Sequence, residues 1–265
     1  MTRLQIIASQ RSAQFAALSN YLSDYGISRE LALRVQRNAR HALNEQKRNT
    51  PESSVALLSI ISEQLRAEIH FEVHSKDLVV HPFFRFYNEA SGLCMRLICH
   101  SAISALLLSH GDFLFAEFEA PASPRMFFVK SGKLTYSQSL TMSEQEVDNC
   151  CWVAEASMWT NWVHHGTAQA ASEIRLMELH VNGFVDIVRK YTGPLRSAAK
   201  YAGLFVETLN RVPEQELSDI GEETTALDLA MAAFHEDLPL GLGVGRRAGR
   251  RSMGGRLSVR PGGMG

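Results

Sequence analysis

Residues 153–168 read VAEASMWTNWVHHGTA, and this stretch decides how the rest of the chain is interpreted. It lies between two strand-like segments, and a run of alternating polar and apolar residues, Ile174 to Val181, follows it. Such alternation is typical of a half-buried strand. The stretch is therefore a connection within a β structure.

Two segments upstream have the same strand-like character. Residues 112–119 (DFLFAEFE) alternate between polar and apolar side chains. Residues 125–138 (RMFFVKSGKLTYSQ) form two β-rich runs around Lys130-Ser131-Gly132, and this pattern predicts a hairpin. The chain therefore contains a run of short antiparallel strands.

Helical patterns lie on both sides of these strands. Apolar residues recur at helical spacing from Phe15 to Tyr25, Gly26 ends that helix, and Ser28 caps the next. Residues 55–73 are helical in two pieces. Helical spacing returns after the strands over two segments, Asn182 to Lys190 and Pro194 to Arg211. The order predicts an α+β fold, with an N-terminal helical region followed by a small antiparallel β-roll, jelly-roll-like and flanked by helices.

The net charge of −1 is the average of two unlike parts. Residues 241–265 carry six arginines, nine of the 18 glycines and no Asp or Glu, which predicts a disordered basic tail. The other 240 residues hold 21 basic and 28 acidic groups, and this acidic balance argues against a nucleic-acid-binding body. The tail itself could touch anionic lipid or nucleic acid, or remain solvated.

Hydrophobic patterning and cysteine count exclude two further classes. The most apolar stretch, Leu93 to Leu108, is interrupted by polar residues and is shorter than the ~20 residues of a membrane-spanning helix. Four cysteines in 265 residues do not form a disulfide framework, so a reducing compartment is expected.

Several features, taken in order, resemble the C-linker and cyclic nucleotide-binding domain of voltage-gated and cyclic-nucleotide-gated cation channels. They are the helices over 18–41 and 53–73, His81-Pro82-Phe83-Phe84, Ser131-Gly132-Lys133-Leu134 and residues 153–168. The resemblance divides the chain into a C-linker-like region (1–80), a cyclic nucleotide-binding homology domain (81–211), an acidic linker (212–240) and the tail (241–265).

The resemblance also implies a ligand site for cAMP or cGMP. Glu155 would accept a hydrogen bond from the ribose hydroxyl, while amides near Ala156 and the Thr167 hydroxyl would face the phosphate, with Ala168 completing the motif. Two residues depart from the family pattern, because Ala154 replaces a glycine and Gly166 replaces the phosphate-binding arginine. A lost charge-assisted hydrogen bond costs about 1.5–3 kcal/mol, and His164 and His165 beside the gap are weak replacements.

The resulting prediction is a degenerate pocket in a cytosolic gating module. The missing arginine favours a potassium channel of the ether-à-go-go type, with the transmembrane pore as partner and a homotetramer formed through residues 10–75. Such a module lies at the cytoplasmic side of a membrane, or is soluble if expressed alone, and the chain is either a fragment of a channel or a free-standing paralogue. No catalytic residue, metal, other cofactor or nucleic-acid partner is predicted.

Other interpretations of the same residues remain open. The chain could be a soluble cyclic-nucleotide sensor resembling kinase regulatory subunits, or an enzyme that uses Cys150 or the His164-His165 pair. Glu155 could be an exposed first-turn acid, and the two histidines could occupy a surface loop. Trp159 and Trp162, at i, i+3 spacing, are more typical of core or interface anchors than of an aromatic cage.

Overall fold

The α+β fold is confirmed by a computed structural model, which describes residues 3–48, 50 and 52–234. The helices are α1 (Arg3–Asp24), α2 (Arg29–Arg48), α3 (Glu63–Leu78), α4 (Pro82–Ala90), α5 (Gly92–Ser101), α6 (Ala156–Trp159), α7 (Val181–Val188), α8 (Thr192–Leu209) and α9 (Glu223–Phe234). The strands are β1 (Ile103–Leu108), β2 (Phe113–Phe115), β3 (Arg125–Ser131), β4 (Leu134–Gln138), β5 (Ser143–Val147), β6 (Trp152–Val153), β7 (Thr167–Ala170) and β8 (Ile174–His180). The predicted basic tail, residues 241–265, lies outside the described residues.

The strands form two four-stranded antiparallel sheets, with the orders β1-β8-β3-β6 and β2-β7-β4-β5. Apolar side chains from both sheets pack in one buried cluster, which includes Val129 and Leu176 from the first sheet and Leu134 and Ala168 from the second. This packing makes the two sheets a small β-roll, as the sequence predicts.

The predicted hairpin over residues 125–138 is a corner instead. β3 and β4 are consecutive in the chain, but β3 pairs with β6 and β8, whereas β4 pairs with β5 and β7. The chain changes sheets at Gly132, whose φ of 90° is unfavourable for other residues. The turn predicted at Lys130-Ser131-Gly132 is present, but the residues of a turn do not by themselves determine which strands pair.

The outer face of the first sheet is covered by helices. Alternate residues of β3 face opposite ways, so that Met126 and Phe128 pack among the helices while Phe127 and Val129 face the roll. At the centre of the helical layer is α4, whose Phe83 is fully buried. This layer brings aromatic side chains from five helices together around Phe83, namely Tyr87, Trp159, Phe184, Tyr201 and Phe234.

The N-terminal helices form as their patterns predict. Gly26, with φ 63°, follows the end of α1, and the amide of Leu31 donates to the Ser28 hydroxyl at the start of α2. The predicted break within residues 55–73 is present, because a 3₁₀ turn over Ala56–Ser59 precedes α3 and Ser62 caps that helix. Helix α2 contacts the roll, and its Arg34 lies 2.9 Å from Asp112.

Two predicted segments differ from the structure. The strand predicted over 112–119 extends only over Phe113–Phe115, because Phe118 has a positive φ of 67°. The segment interpreted as an acidic linker, 212–240, is part of the fold up to residue 234. Its helix α9 packs against α4 and α8 through small apolar side chains and Phe234, which outweigh the acidic composition of the segment.

Among the described residues, no helix combines the length and apolar character needed to cross a bilayer.

Replacing Gly132 with alanine is expected to destabilise the corner between the sheets. The added Cβ would lie 2.8 Å from Cα of Ile174, at a φ that side chains rarely adopt. A residue forced into such a conformation costs about 1–3 kcal/mol, and urea unfolding of Gly132→Ala measures this loss.

The matched control is Gly203→Ala in α8, where the added Cβ meets open space. This change should stabilise the chain by about 0.5–1 kcal/mol, since alanine is the better helix former. Equal effects of the two substitutions would show that the corner has no special requirement for glycine.

Candidate functional site

The sequence stretch 153–168 folds as the end of β6, the short helix α6, a loop and the start of β7. Ala154, which replaces the glycine of the family pattern, has a φ of 62°. It therefore keeps the left-handed conformation that favours glycine, and its side chain is fully buried. The backbone directly before α6 is therefore in a conformation that glycine adopts more readily than alanine.

Glu155, predicted to hold a ribose hydroxyl, is directed into the protein. Its side chain is only 4% exposed, which excludes the alternative of an exposed first-turn acid. Its carboxylate accepts hydrogen bonds from Trp152 Nε1 at 3.2 Å, Trp159 Nε1 at 3.3 Å and the Tyr201 hydroxyl at 2.8 Å. All three donors are side chains of the protein, so this carboxylate already has internal partners.

A fourth partner of Glu155 comes from the segment before α4. His81 Nδ1 accepts the amide hydrogen of Phe83, which places a proton on Nε2, 3.0 Å from Glu155 Oε2. Burial alone would raise the pKa of Glu155, but the contacts with His81, Tyr201 and Trp159 outweigh it and lower the pKa below its ordinary value. Glu155 is therefore an ionised structural group that connects α4, α6 and α8.

A second carboxylate, that of Asp219, is buried next to α6 and is 2% exposed. We call the space that its hydrogen-bond donors enclose the pocket. The two oxygens of Asp219 accept five hydrogen bonds of 2.7–3.1 Å. The donors are the Tyr136 hydroxyl, Trp162 Nε1, His164 Nδ1 and the backbone amides of His165 and Gly166. A set of converging donors that includes adjacent backbone amides is the arrangement by which proteins bind anions.

The backbone around Asp219 is also fixed. Its carbonyl accepts the amide hydrogen of Ala154 at 2.7 Å, and Ile220 forms an antiparallel bridge with Val153. Gln138 Nε2 donates to the carbonyl of Leu217 at 2.8 Å. We call residues 217–221 the pocket segment, because it pairs with the edge strand β6 and places its one buried carboxylate in the pocket.

Position 166, where the resemblance implies an arginine, has no room for a side chain. A Cβ added at Gly166 would lie 2.6 Å from the hydroxyl of Tyr136, the same hydroxyl that donates to Asp219. The tyrosine therefore fills the space into which a side chain at position 166 would extend. Gly166, Tyr136 and Asp219 belong to one arrangement, in which both the anion and its donors come from the chain.

The other predicted ligand residues are near the pocket but have different contacts. The Thr167 hydroxyl accepts the amide hydrogen of Glu117 at 3.1 Å. Ala156 and Ala168 are buried, and the carbonyl of His165 accepts from Gln138 Nε2 at 3.2 Å. The backbone donors to the Asp219 carboxylate are therefore the amides of His165 and Gly166, directly before β7, rather than the amides near Ala156 that the resemblance implies.

The neighbouring aromatic and cysteine residues also have defined surroundings. His164 is not in a surface loop, because its ring is buried and stacks on Phe115 at a centroid distance of 3.8 Å. The prediction that the two tryptophans are anchors is consistent with the buried position of Trp162. Cys150, which the enzyme alternative would use, is exposed.

The decisive residue of the site, Asp219, was missed as a functional group. In the sequence it is one of several acids between Glu214 and Glu223, more than 50 positions after the stretch it contacts. The one local signal is the apolar pair Leu217 and Ile220 on either side of it, which is unusual in a solvated acidic linker.

A cleft of about 360 Å³ lies on the other side of the pocket segment, between it and helices α8 and α9. Its lining includes the acids Glu155, Glu216 and Glu222 and contains no Lys, Arg or His. Such a lining disfavours an anionic ligand.

No group of three or more His, Cys, Asp or Glu side chains that could hold a metal ion is found in the part of the chain that the structure describes. Comparison with models of protein families and with curated proteins finds no match for this chain.

Replacing Asp219 with alanine is expected to destabilise the chain strongly, because five buried donors lose their acceptor. Removing one partner of a buried ion pair costs about 3–5 kcal/mol, which corresponds to a decrease of roughly 6–20 °C in the unfolding temperature for a chain of this size. Calorimetry of Asp219→Ala measures the decrease.

Two controls separate this effect from the loss of any acidic side chain. Glu214→Ala removes an exposed acid of the same segment and should change stability by at most about 0.5 kcal/mol. Formate, which can replace the deleted carboxylate, should partly restore the unfolding temperature of Asp219→Ala. Equal stability of the two alanine variants would contradict the arrangement described for Asp219.

Proposed function

We propose that this chain is the cytosolic gating module of a cation channel, a potassium channel by its nearest resemblance, in which residues 217–221 replace a cyclic nucleotide. The observation that carries the second part of the proposal is the Asp219 carboxylate, held by five donors in the pocket where the resemblance places the nucleotide phosphate. The module then works without a diffusible ligand.

The contacts of the pocket segment support a mechanical role. Segment 217–221 lies between α8 and α9 in the chain, and these helices pack against each other. Tyr201 of α8 donates to Glu155, and Gly221 of the segment lies close to the same carboxylate. A displacement of the segment would therefore change the surroundings of α8 and α9, and a change in α8 would reach the pocket.

The N-terminal helices supply a second part of the proposed role. Helix α2 is joined to the β-roll by charged pairs, which include Glu45 with Arg175 at 3.0 Å and Arg34 with Asp112 at 2.9 Å. In the proposed module, the contacts between α2 and the β-roll transmit rearrangements of the roll to the N-terminal helices. Those helices would lead to the pore.

Titration with cAMP and cGMP tests the proposed replacement of the nucleotide. Isothermal calorimetry on the whole chain should detect no saturable binding at millimolar nucleotide, because the donors are occupied and position 166 offers no guanidinium. Saturable binding with a micromolar Kd would overturn the internal-ligand proposal and favour the alternative of a soluble cyclic-nucleotide sensor.

The assignment to a channel has a separate test in the transcript that encodes this chain. We expect its reading frame to continue upstream of Met1 through six hydrophobic spans, the fourth of them rich in arginine. Sequencing of the full transcript checks this, and a transcript that begins at Met1 would remove the pore from the proposal while leaving the internal ligand unaffected.

A further inference from the structure

Four side chains outside the pocket form an unbroken chain of contacts. Glu52 Oε2 lies 2.8 Å from His70 Nε2, His70 Nδ1 lies 3.1 Å from His100 Nδ1, and His100 Nε2 lies 2.8 Å from Glu63 Oε1. The two rings are mostly buried, with 17% and 14% of their side chains exposed, whereas the carboxylates reach the surface. We call this set the histidine relay.

The number of protons in the histidine relay follows from its geometry. Each of the three contacts joins two nitrogen or oxygen atoms at hydrogen-bond distance, so each needs one proton. Two neutral imidazoles carry only two protons, and an ionised carboxylate carries none. Any neutral arrangement of the rings therefore leaves two lone pairs facing each other at one of the contacts.

We propose that His70 and His100 form a proton-binding site, in which one additional proton is shared between their Nδ1 atoms. The two rings then carry three protons and one positive charge, between the carboxylates of Glu52 and Glu63. The ligand of the site is a proton from solvent, and the site is independent of the pocket segment and of the proposed channel function.

The surrounding charges favour this additional proton. The hydrogen bond and charge of His100 lower the pKa of Glu63 below its ordinary value, so Glu63 is ionised at neutral pH. Opposing groups lie close to the relay: Arg66 on α3 is 3.9 Å from each carboxylate, and the ring of His74 is 6.1 Å from that of His70. Two further cations lie nearby, since Arg96 on α5 stacks on Phe71, the neighbour of His70 in the chain, and Lys130 on β3, which is paired with Asp77, acts on His74.

His74 does not compete for the proton at neutral pH. Burial and the charge of Lys130 lower its pKa to about 4. A base with a lowered pKa destabilises the fold only where the unfolded chain would take up its proton, which is below about pH 6.5 for histidine. Effects of His74 are therefore confined to acid pH.

Binding of the proton affects the contact between α3 and α5, because the histidine relay joins these helices. Glu52 belongs to a 3₁₀ turn, Glu63 and His70 belong to α3, and His100 belongs to α5, which packs on α7 and the start of the β-roll. With the proton bound, hydrogen bonds join all three elements. When the proton leaves, the two Nδ1 lone pairs repel each other and the contact between α3 and α5 weakens.

Long-range ¹H–¹⁵N spectra of the histidine side chains test the proton count directly on the whole chain, with a chelator present to exclude metal ions. At pH 7 we expect both Nε2 atoms to be protonated and the two Nδ1 atoms to share one proton. Spectra that show two independent, neutral rings at pH 7 would overturn the proposal.

A second measurement uses the variant His70→Asn. Its side-chain amide can donate to His100 Nδ1 without an additional proton, so the hydrogen bond no longer depends on pH. A proton held by the folded but not by the unfolded chain makes stability fall as pH rises. As the pH is raised above 7, urea unfolding should therefore show a stability loss that corresponds to at most one proton per molecule for the natural chain, and a flat profile for His70→Asn.

His110→Asn is the matched control, because His110 is an exposed histidine outside the relay. It should keep the pH profile of the natural chain. Equal profiles for the natural chain and His70→Asn would contradict the shared proton, and the spectra of the natural chain decide the question if the variant fails to fold.

Discussion

The Asp219 carboxylate is the constraint on which the arrangement around the pocket depends. A buried carboxylate without partners would cost several kcal/mol, so the chain that carries it can enter the interior only where donors are already collected. The hydroxyl of Tyr136, two ring nitrogens and two backbone amides meet this requirement. They come from β4 and from the loop between α6 and β7, and one buried charge therefore fixes the position of the pocket segment relative to these two parts of the chain.

Glu155 and Asp219 together account for the charged groups of the site. The carboxylate of Glu155 contacts partners on α6, α8 and the segment before α4. The carboxylate of Asp219 provides an anion from within the chain. Tyr136 links the substitution at position 166 to this anion, because its ring excludes a side chain there and its hydroxyl donates to Asp219.

Local patterns were sufficient to predict much of the fold and little of the site. The helix boundaries near Gly26, Ser28 and Ser62 follow from capping and positive φ, which depend on neighbouring residues. The pairing of β3 with β8 rather than β4 and the entry of Asp219 into the pocket depend on contacts between residues more than 40 positions apart. Neither the strand pairing nor the position of Asp219 produces a periodic pattern in the sequence. An acidic residue in an acidic segment is therefore predicted to be solvent-exposed unless its hydrogen-bond donors are known.

The free energy that holds Asp219 also sets the response of the proposed module to nucleotides. A cyclic nucleotide must first displace the pocket segment, and if this costs about 3–5 kcal/mol, the apparent affinity falls by about 10²–10⁴-fold. A pocket with micromolar intrinsic affinity would then respond only far above that concentration, even before the missing guanidinium is considered. Conversely, any rearrangement of α8 or α9 that releases the pocket segment must supply the same free energy. Such a module responds to forces transmitted through its helices, since those act on the segment directly.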